Sequence, residues 1–401
     1  MERLRAFQIR IRVVRILIVN RHIDQTAGGS ETQCHEIATA LAERGHEVVY
    51  AACGEGAVRS EHPYAIRPMH GRFHSAFRDA LRDVRPDVVY WRFNKRHLLR
   101  SVLDARRAGA RFVFAVSHIN DLRPVAAKPF YGARLSAARR AARALGRARI
   151  AALGAVNHLA LRLVDGIVYQ HAGQIRADAK RRHVVIHNSA RPARAVAEQR
   201  VAVGNGLTAA GGSRSQSRDA MPPRYVLWAG NLKKSKNPED FVRLAADLEH
   251  TGVEFRMAGQ IQDTAYRKLL EAESLPRNFR YLGHQSRDAL DVLMSGCLLL
   301  VHTCDPEGFP NVFIQAWSAG KPVASLRFDP GEMLETYGIG VCAHGDYTSF
   351  KADVEQLMAD EALRGEIGRR ALAFVAEHCD RDKNVAKLEA FFGEVLAAPA
   401  R

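Results

Sequence analysis

The sequence predicts an α/β protein built as two doubly wound parallel-sheet domains in series, and three observations carry that prediction. Short apolar runs of strand length alternate with helical stretches from Val13 onward, which is the rhythm of βαβ units. A Gly-, Ser- and Ala-rich stretch without periodicity, Val201 to Pro223, interrupts the alternation and reads as a linker or loop. The rhythm restarts at Tyr225, so the chain implies two facing Rossmann-like domains with a cleft between them, the usual place for a ligand.

In the first half, Ile16 to Asn20 reads as a strand and Gly28 to Glu31 as the turn into a helix whose apolar face carries Cys34, Ile37, Ala38 and Leu41. Ser30 and Gln33 fit a capping box and Gly45 fits the helix stop. Val48–Ala52, Asp87–Trp91 and Phe112–Val116 supply further strands, with Arg-, Ala- and Leu-rich helices between them, and Val184–His187 ends the half. In the second half, YVLWAG from Tyr225 is followed by a helix over Pro238–His250, the strand FRMAG, a helix from Thr264, the strand FRYLG and a helix over Arg287–Met294. Cys297–Thr303 (CLLLVHT) is a near-continuous apolar run, the pattern of a parallel strand covered on both faces. Val312, Phe313, Ala316, Trp317 and Gly320 then recur at helical spacing, and Val323–Leu326 starts another strand. From Leu363 to Leu396 the chain is amphipathic without strand signals.

The 401 residues suffice for two α/β domains of ordinary size, and 47% hydrophobic with 25% charged residues is a globular composition, which excludes a disordered chain. The net charge of +16 attracts anions such as nucleotides or anionic lipid. Nucleic acid is not an expected partner, since no nucleic-acid-binding motif accompanies the charge. No apolar stretch approaches the roughly 20 residues of a membrane span, and arginines interrupt the apolar residues at the start of the chain, so a cytoplasmic location is expected. Six cysteines (34, 53, 297, 304, 342 and 379) lack CxxC spacing and read as reduced, buried small residues.

The chemistry concentrates where predicted strands end. In Pro306–Ser325 (PEGFPNVFIQAWSAGKPVAS), Glu307 follows the apolar run and precedes a helix, with Gly308 beside it. A carboxylate there accepts from sugar hydroxyls, and the N–H groups of the helix start bind phosphate. After YVLWAG, a Gly/Asn turn (Gly230, Asn231) leads to Lys233, Lys234 and Lys236, and a lysine at a strand-end turn has an electrostatic reason to meet phosphate. Gly28 and Gly29 form the matching turn of the first half, allowing close backbone approach ahead of a helix start. His118 sits in the loop after the Phe112–Val116 strand, with Asp121 a secondary candidate whose other reading is helix capping. Between Arg123 and Val164 there is no acidic residue, and Arg139, Arg143 and Arg147 share one helical face. That face either lies on an anionic membrane surface or is a solvated basic helix.

These segments resemble the signature of family 4 glycosyltransferases of the GT-B architecture, retaining type, in which two Glu residues flank the helix after such a strand. The first position is Glu307 and the second, eight residues on, is Gln315, so the second carboxylate is absent. The resemblance implies that Glu307 holds donor-sugar hydroxyls, that Gly308, Phe309, Pro310 and Asn311 line the donor, and that position 315 meets the ribose. It matches Gly230 and Lys236 to the diphosphate grip, with Asn231 where the family has Arg. It assigns Gly28 and Gly29 to the N-terminal glycine loop, Leu282, Gly283 and His284 to the loop that meets the base, Asn188 to a structural position, and His118 to the sugar near the reacting carbon. The implied catalytic set is His118, Glu307 and Lys236. The domains implied are 1–195 on the acceptor side, a linker at 196–223, a nucleotide-sugar domain at 224–375, and a C-terminal helix at 376–401 packing back on the first domain.

The expected activity is metal-independent transfer, with retention, of a hexose or related sugar from a nucleoside diphosphate to a hydroxyl of a glycan or lipid-linked acceptor. The implied setting is bacterial-type envelope or exopolysaccharide synthesis, with the protein cytoplasmic or peripheral on the inner membrane face through Arg139, Arg143 and Arg147. No cofactor beyond the sugar nucleotide and no metal are expected; the acid pair Asp380 and Asp382 lies in the C-terminal helical region, away from strand ends. A nucleotide-sugar epimerase of the same architecture, or a non-catalytic protein binding a nucleotide sugar, are the alternative readings.

Overall fold

The computed structural model describes residues 13–26, 28–59, 61–122, 151–175, 181–190, 224–271 and 275–399. The expectations for the Val201–Pro223 linker and for Arg139, Arg143 and Arg147 fall outside these residues. Two all-parallel sheets are present. The first contains β1 (Arg15–Asn20), β2 (Glu47–Ala52), β3 (Ala65–Pro68), β4 (Val88–Trp91), β5 (Arg111–Ala115), β6 (Gly166–Tyr169) and β7 (His183–Val185), in the order β3-β2-β1-β4-β5-β6-β7. The second contains β8 (Tyr225–Ala229), β9 (Glu254–Ala258), β10 (Phe279–Tyr281), β11 (Leu300–His302), β12 (Val323–Ser325) and β13 (Gly340–Cys342), ordered β10-β9-β8-β11-β12-β13. Each order reverses beside its first strand, placing a topological switch point between β1 and β4 and another between β8 and β11.

The chain divides into two compact units: Met1–Tyr169 with Asp178–Val185 and Val385–Arg401, and Gln170–Ala177 with Ile186–Asn384. The last helix, Arg381–Ala397, thus ends in the first unit, where Phe391, Phe392 and Val395 are buried and Phe392 meets Tyr90 edge-on. Glu389 on this helix pairs with Arg44 at 2.7 Å and His46 at 2.8 Å. Residues 376–384, expected with that helix, stay with the second unit, because Asn384 Nδ2 donates to the carbonyls of His187 and His378 at 3.2 Å. In the second unit the period-two alternation of β8 feeds two cores. Val226 and Trp228 pack with Phe241 and Phe255, while Tyr225, Leu227 and Ala229 pack with Phe313 and Trp317. None of the six cysteines, all among the described residues, forms a disulfide, and five are buried.

Two local expectations are corrected. The helix Gly29–Glu43 begins at Gly28 as N-cap with no side-chain cap. Ser30 therefore lies inside the first turn, and its Oγ turns instead to Asn20 Nδ2 at 3.1 Å and Ser117 Oγ at 3.4 Å. The strands β3, β6 and β13 were not anticipated. They are three or four residues long, and β3 is half-exposed and ends in proline, which leaves little apolar signal.

Gly166 lies under the last helix: a Cβ there would stand 2.6 Å from Phe391 Cζ and 3.1 Å from Val395 Cγ2. Gly166→Ala is expected to destabilise the protein by about 1–3 kcal/mol through overpacking. Adding Phe391→Leu should recover part of that loss in denaturant unfolding; full additivity of the two changes would rule out this contact as the cause.

Candidate functional site

The loop after β8 and the loop after β11 meet at the switch point of the second sheet, and named hydrogen bonds strap them together. Thr303 Oγ1 donates to the Lys236 carbonyl at 2.7 Å and accepts from Trp228 Nε1 at 2.9 Å. Asn237 Nδ2 donates to Asp305 Oδ1 at 2.9 Å and to the Thr303 carbonyl at 3.2 Å. The Asp305 N–H donates to the Ser235 carbonyl at 3.0 Å. Asn237 makes the turn with φ of 42°, a left-handed conformation that Asn tolerates better than most residues. Arg327 Nη1 adds a bond to the Thr303 carbonyl at 2.8 Å and pairs with Asp240 through Nη2 at 2.7 Å.

This strap sets Lys236 against Glu307. The ammonium Nζ lies 2.7 Å from Oε1 and 2.8 Å from Oε2, with the side chains 17% and 22% exposed. Burial opposes both charges, yet each outweighs that cost for the other, so Lys236 is held above and Glu307 below its ordinary range. Below them lies buried His302. Ser325 Oγ donates its one proton to the Phe328 carbonyl at 2.7 Å, so at 3.2 Å from His302 Nδ1 it can only accept. His302 Nε2 faces Glu307 Oε1 at 3.4 Å. Both ring nitrogens therefore sit opposite acceptors, which suits the imidazolium. Burial opposes that form, but the Cys304 sulfur and the Glu307 carboxylate push the His302 pKa up to about 9. At neutral pH two cations thus face one carboxylate, and an arriving anion meets excess positive charge.

The other predicted residues of this unit are placed as follows. Gly308 is buried, and Pro310 is the N-cap of the helix Asn311–Ser318 without a side-chain cap bond. The Phe309 side chain belongs to the core, stacking on His187 and meeting Trp317 edge-on, which leaves its backbone toward the turn. Asn188 Nδ2 holds the Phe309 carbonyl at 3.0 Å and Asn311 Oδ1 at 2.9 Å. Gln315 Nε2 donates to Asp291 Oδ1 at 3.1 Å. Gly230 and Leu232 continue the pairing toward Ala258 and Gln260 through their N–H groups, with half-buried Asn231 between them. Lys234 pairs with Glu239 at 2.9 Å, whereas Lys233 caps the short turn Lys234–Lys236. In the loop after β10, the Gly283 carbonyl accepts from Gly259 N–H at 2.8 Å and the Leu282 carbonyl from Gln285 Nε2 at 2.6 Å. Asp380 Oδ1 accepts from Lys383 N–H at 2.8 Å, the geometry of a helix start.

In the first unit, His118 follows β5 in a short turn. Its Nδ1 accepts from Asn120 N–H at 3.1 Å, and Asp121 Oδ2 accepts the N–H groups of Ser117 and His118, each at 2.9 Å. Asp121 is thus a backbone cap that fixes His118. Gly28 and Gly29 lead into their helix with the Glu31 side chain folded close over Gly28. Sequence reasoning missed His302 and Asp291: His302 reads as part of a buried strand, and the contacts with Ser325 and Gln315 that define the two residues span 23 and 24 positions.

With the geometry in place, the comparisons give the class. The profile of "Glycosyltransferase Family 4" matches residues 27–169 and that of "Glycosyl transferases group 1" matches residues 213–373. The chain belongs to the family 4 glycosyltransferases, and its two parallel-sheet units are those of the GT-B architecture. Among particular proteins, it is similar to N-acetyl-alpha-D-glucosaminyl L-malate synthase of Bacillus anthracis, at 25% identity over 177 residues, 43% of this chain and 46% of that enzyme. The match spans under half of that relative's length. In fold it resembles sucrose-phosphate synthase of Thermosynechococcus elongatus, with a TM-score of 0.70 at 14% identity over 96% of this chain and 99% of that one. It also resembles WaaG, a glycosyltransferase involved in lipopolysaccharide biosynthesis, with a TM-score of 0.65 at 15% identity over 94% and 99%. A third likeness is the trehalose-6-phosphate protein of E. coli bound with UDP-2-fluoro glucose, with a TM-score of 0.64 at 13% identity over 96% and 100%.

Two outcomes test the electrostatics. Folding raises the His302 pKa, so its stabilisation is complete below the unfolded value of about 6.5 and is lost as pH rises toward about 9. Denaturant unfolding across that window should show a loss on the order of 2 kcal/mol, and His302→Gln should flatten the slope. Glu307→Gln alone, leaving the Lys236 charge without its partner, is expected to cost about 2–4 kcal/mol. Combined with Lys236→Met it should cost clearly less than the two single changes summed; strict additivity would show that the two groups do not interact.

Proposed function

We propose that this protein transfers a sugar, with retention and without a metal at the reaction centre, from a nucleoside diphosphate to a hydroxyl of a glycan or lipid-linked acceptor. The observation that carries the reading is the Lys236–Glu307 pair at the β8/β11 switch point. An ammonium has three donors; that of Lys236 spans both Glu307 oxygens and lies beside the Cys304 sulfur, and a phosphate oxygen would take the donor now turned to that sulfur. Glu307 in turn accepts the hydroxyls of the sugar, and the start of the helix Asn311–Ser318 adds its partial positive charge on the same edge. As the acceptor oxygen bonds to the anomeric carbon, the bond from that carbon to the diphosphate oxygen breaks, and the leaving phosphate takes the acceptor's proton. Lys236 stabilises the charge that develops on the diphosphate, with His302 holding Glu307 ionised. The UDP-2-fluoro glucose bound by the E. coli neighbour supports a sugar nucleotide as the donor class, and the lipopolysaccharide role of WaaG supports an envelope or exopolysaccharide acceptor.

Gln315 enters the same reading together with Asp291. One N–H of its amide is committed to Asp291 Oδ1, which orients the amide, and its oxygen is the acceptor offered to a ribose hydroxyl. Asp291, on the helix Arg287–Gly296, supplies the carboxylate that position 315 lacks.

A thermal-shift series with UDP, GDP, ADP and their sugars tests the donor site. Selective stabilisation by one base, abolished in the charge-neutral Lys236→Met/Glu307→Gln double variant, is expected; no shift with any of them at millimolar concentration would overturn the reading. Acceptor-free turnover should release the sugar with its stereochemistry kept, whereas an isomerised product would mark an epimerase. For the ribose, Asp291→Ala is expected to weaken the preferred nucleoside diphosphate about tenfold, on the order of 1.4 kcal/mol. The loss should vanish with the 2′,3′-dideoxy nucleotide. An equal loss with both would assign Asp291 to folding instead.

A further inference from the structure

The first unit brings three histidines together from separate segments. His22 follows β1, His35 lies on the helix Gly29–Glu43, and His62 lies between β2 and β3. One nitrogen from each falls within 4.8 Å of the others. His22 is fully buried, His35 and His62 are half-buried, and the rings of His22 and His62 meet edge-on at 4.8 Å.

The groups around them are arranged on two sides. Asp24 Oδ2 lies 3.0 Å from His62 Nε2 and 3.5 Å from His22 Nδ1. Tyr64 Oη lies 2.9 Å from His22 Nε2 and 2.6 Å from His35 Nδ1. His62 Nε2 and His22 Nδ1 therefore both lie beside the carboxylate, and the second nitrogen of His22 faces the Tyr64 oxygen. Metal-bound histidines are held in this way, with one nitrogen on the ion and the other donating to a carboxylate. The second such group among the described residues, His302, Cys304 and Glu307, has the Lys236 ammonium on both Glu307 oxygens. There the place of a cation is already filled.

We propose that His22, His35 and His62 bind one divalent transition-metal ion, with Asp24 orienting His22 and His62 and the Tyr64 oxygen or a water completing the set. Three imidazoles with an oxygen donor and no thiolate suit Zn²⁺ and its neighbours in the transition series, and do not suit Mg²⁺ or Ca²⁺. Without metal, Asp24 N–H donates to His22 Nδ1 at 3.2 Å, which places the ring proton on Nε2 toward Tyr64. Metal binding at Nε2 moves that proton to Nδ1, where the bond from the Asp24 N–H is given up and Asp24 Oδ2, now at 3.5 Å, accepts the proton. Tyr64 O–H, which then donates to His35 Nδ1, turns away to free that nitrogen. The His22 and His35 steps thus redistribute protons within the cluster and need none from outside.

Full-length protein, with any purification tag removed and metal stripped by chelation, is titrated with ZnCl₂ by calorimetry and read for bound metal by mass spectrometry. One Zn²⁺ per chain is expected, with affinity falling at least tenfold in His35→Ala and in His62→Ala and a thermal shift that MgCl₂ does not reproduce. Both positions are half-buried, and circular dichroism checks that the variants fold. Co²⁺ substitution of the unmutated protein reads the ligand set without any variant: a d–d spectrum lacking thiolate charge transfer is expected. Absence of stoichiometric Zn²⁺, equal uptake by the histidine variants, or a thiolate band from Co²⁺ would each overturn the site.

Discussion

A single ion pair organises the second unit's working edge. Lys236 and Glu307 come from loops that are 71 positions apart in sequence, and they meet only because β8 and β11 are neighbours in a sheet whose order reverses there. Neither charge is tolerable at that depth alone, since desolvation opposes both. The Thr303, Asn237 and Asp305 hydrogen bonds keep the two loops in register, and the pair depends on that strap as much as on Coulomb attraction. A ligand that takes hydroxyls to Glu307 and phosphate to Lys236 would enter an arrangement already set, with little reorganisation left to make.

His302 changes the character of that pair. With Ser325 fixed as an acceptor by its bond to Phe328, the ring cannot offer a lone pair to either neighbour and is driven toward the imidazolium. Glu307 is therefore held ionised from two directions, and it remains an acceptor for hydroxyl protons across ordinary pH. An apolar residue at position 302 would leave the same strand intact but remove the second cation, so the histidine is better explained by electrostatics than by packing.

Much of this was legible in the sequence, and the limits have physical causes. The apolar run Cys297–Thr303 announced a buried strand, and the ordered strand extracted from it is β11, Leu300–His302. The Gly/Asn turn before Lys236 and the Gly/Pro turn after Glu307 announced strand ends, since such residues break regular structure whatever surrounds them. Ser30 misled because a capping pattern is local while its side chain answered to Asn20 and Ser117, the latter 87 positions away. The bond from Gln315 to Asp291 was equally invisible: nothing in the segment around position 315 says that a carboxylate from the preceding helix will be there. Motif residues are visible as types at a spacing, whereas their partners are visible only once the sheet order is known.

The same reasoning explains why the departure at position 315 need not empty the site of charge. A second carboxylate at 315 would stand about 3 Å from Asp291, the separation now held by a hydrogen bond, and two ionised carboxylates at that distance disfavour one another strongly. Glutamine removes the conflict and converts the contact into a donor–acceptor bond that orients its own oxygen. The charge expected on one helix is carried by its neighbour, so the pair Gln315–Asp291, rather than either residue alone, is the unit to compare with the two-carboxylate pattern of the family.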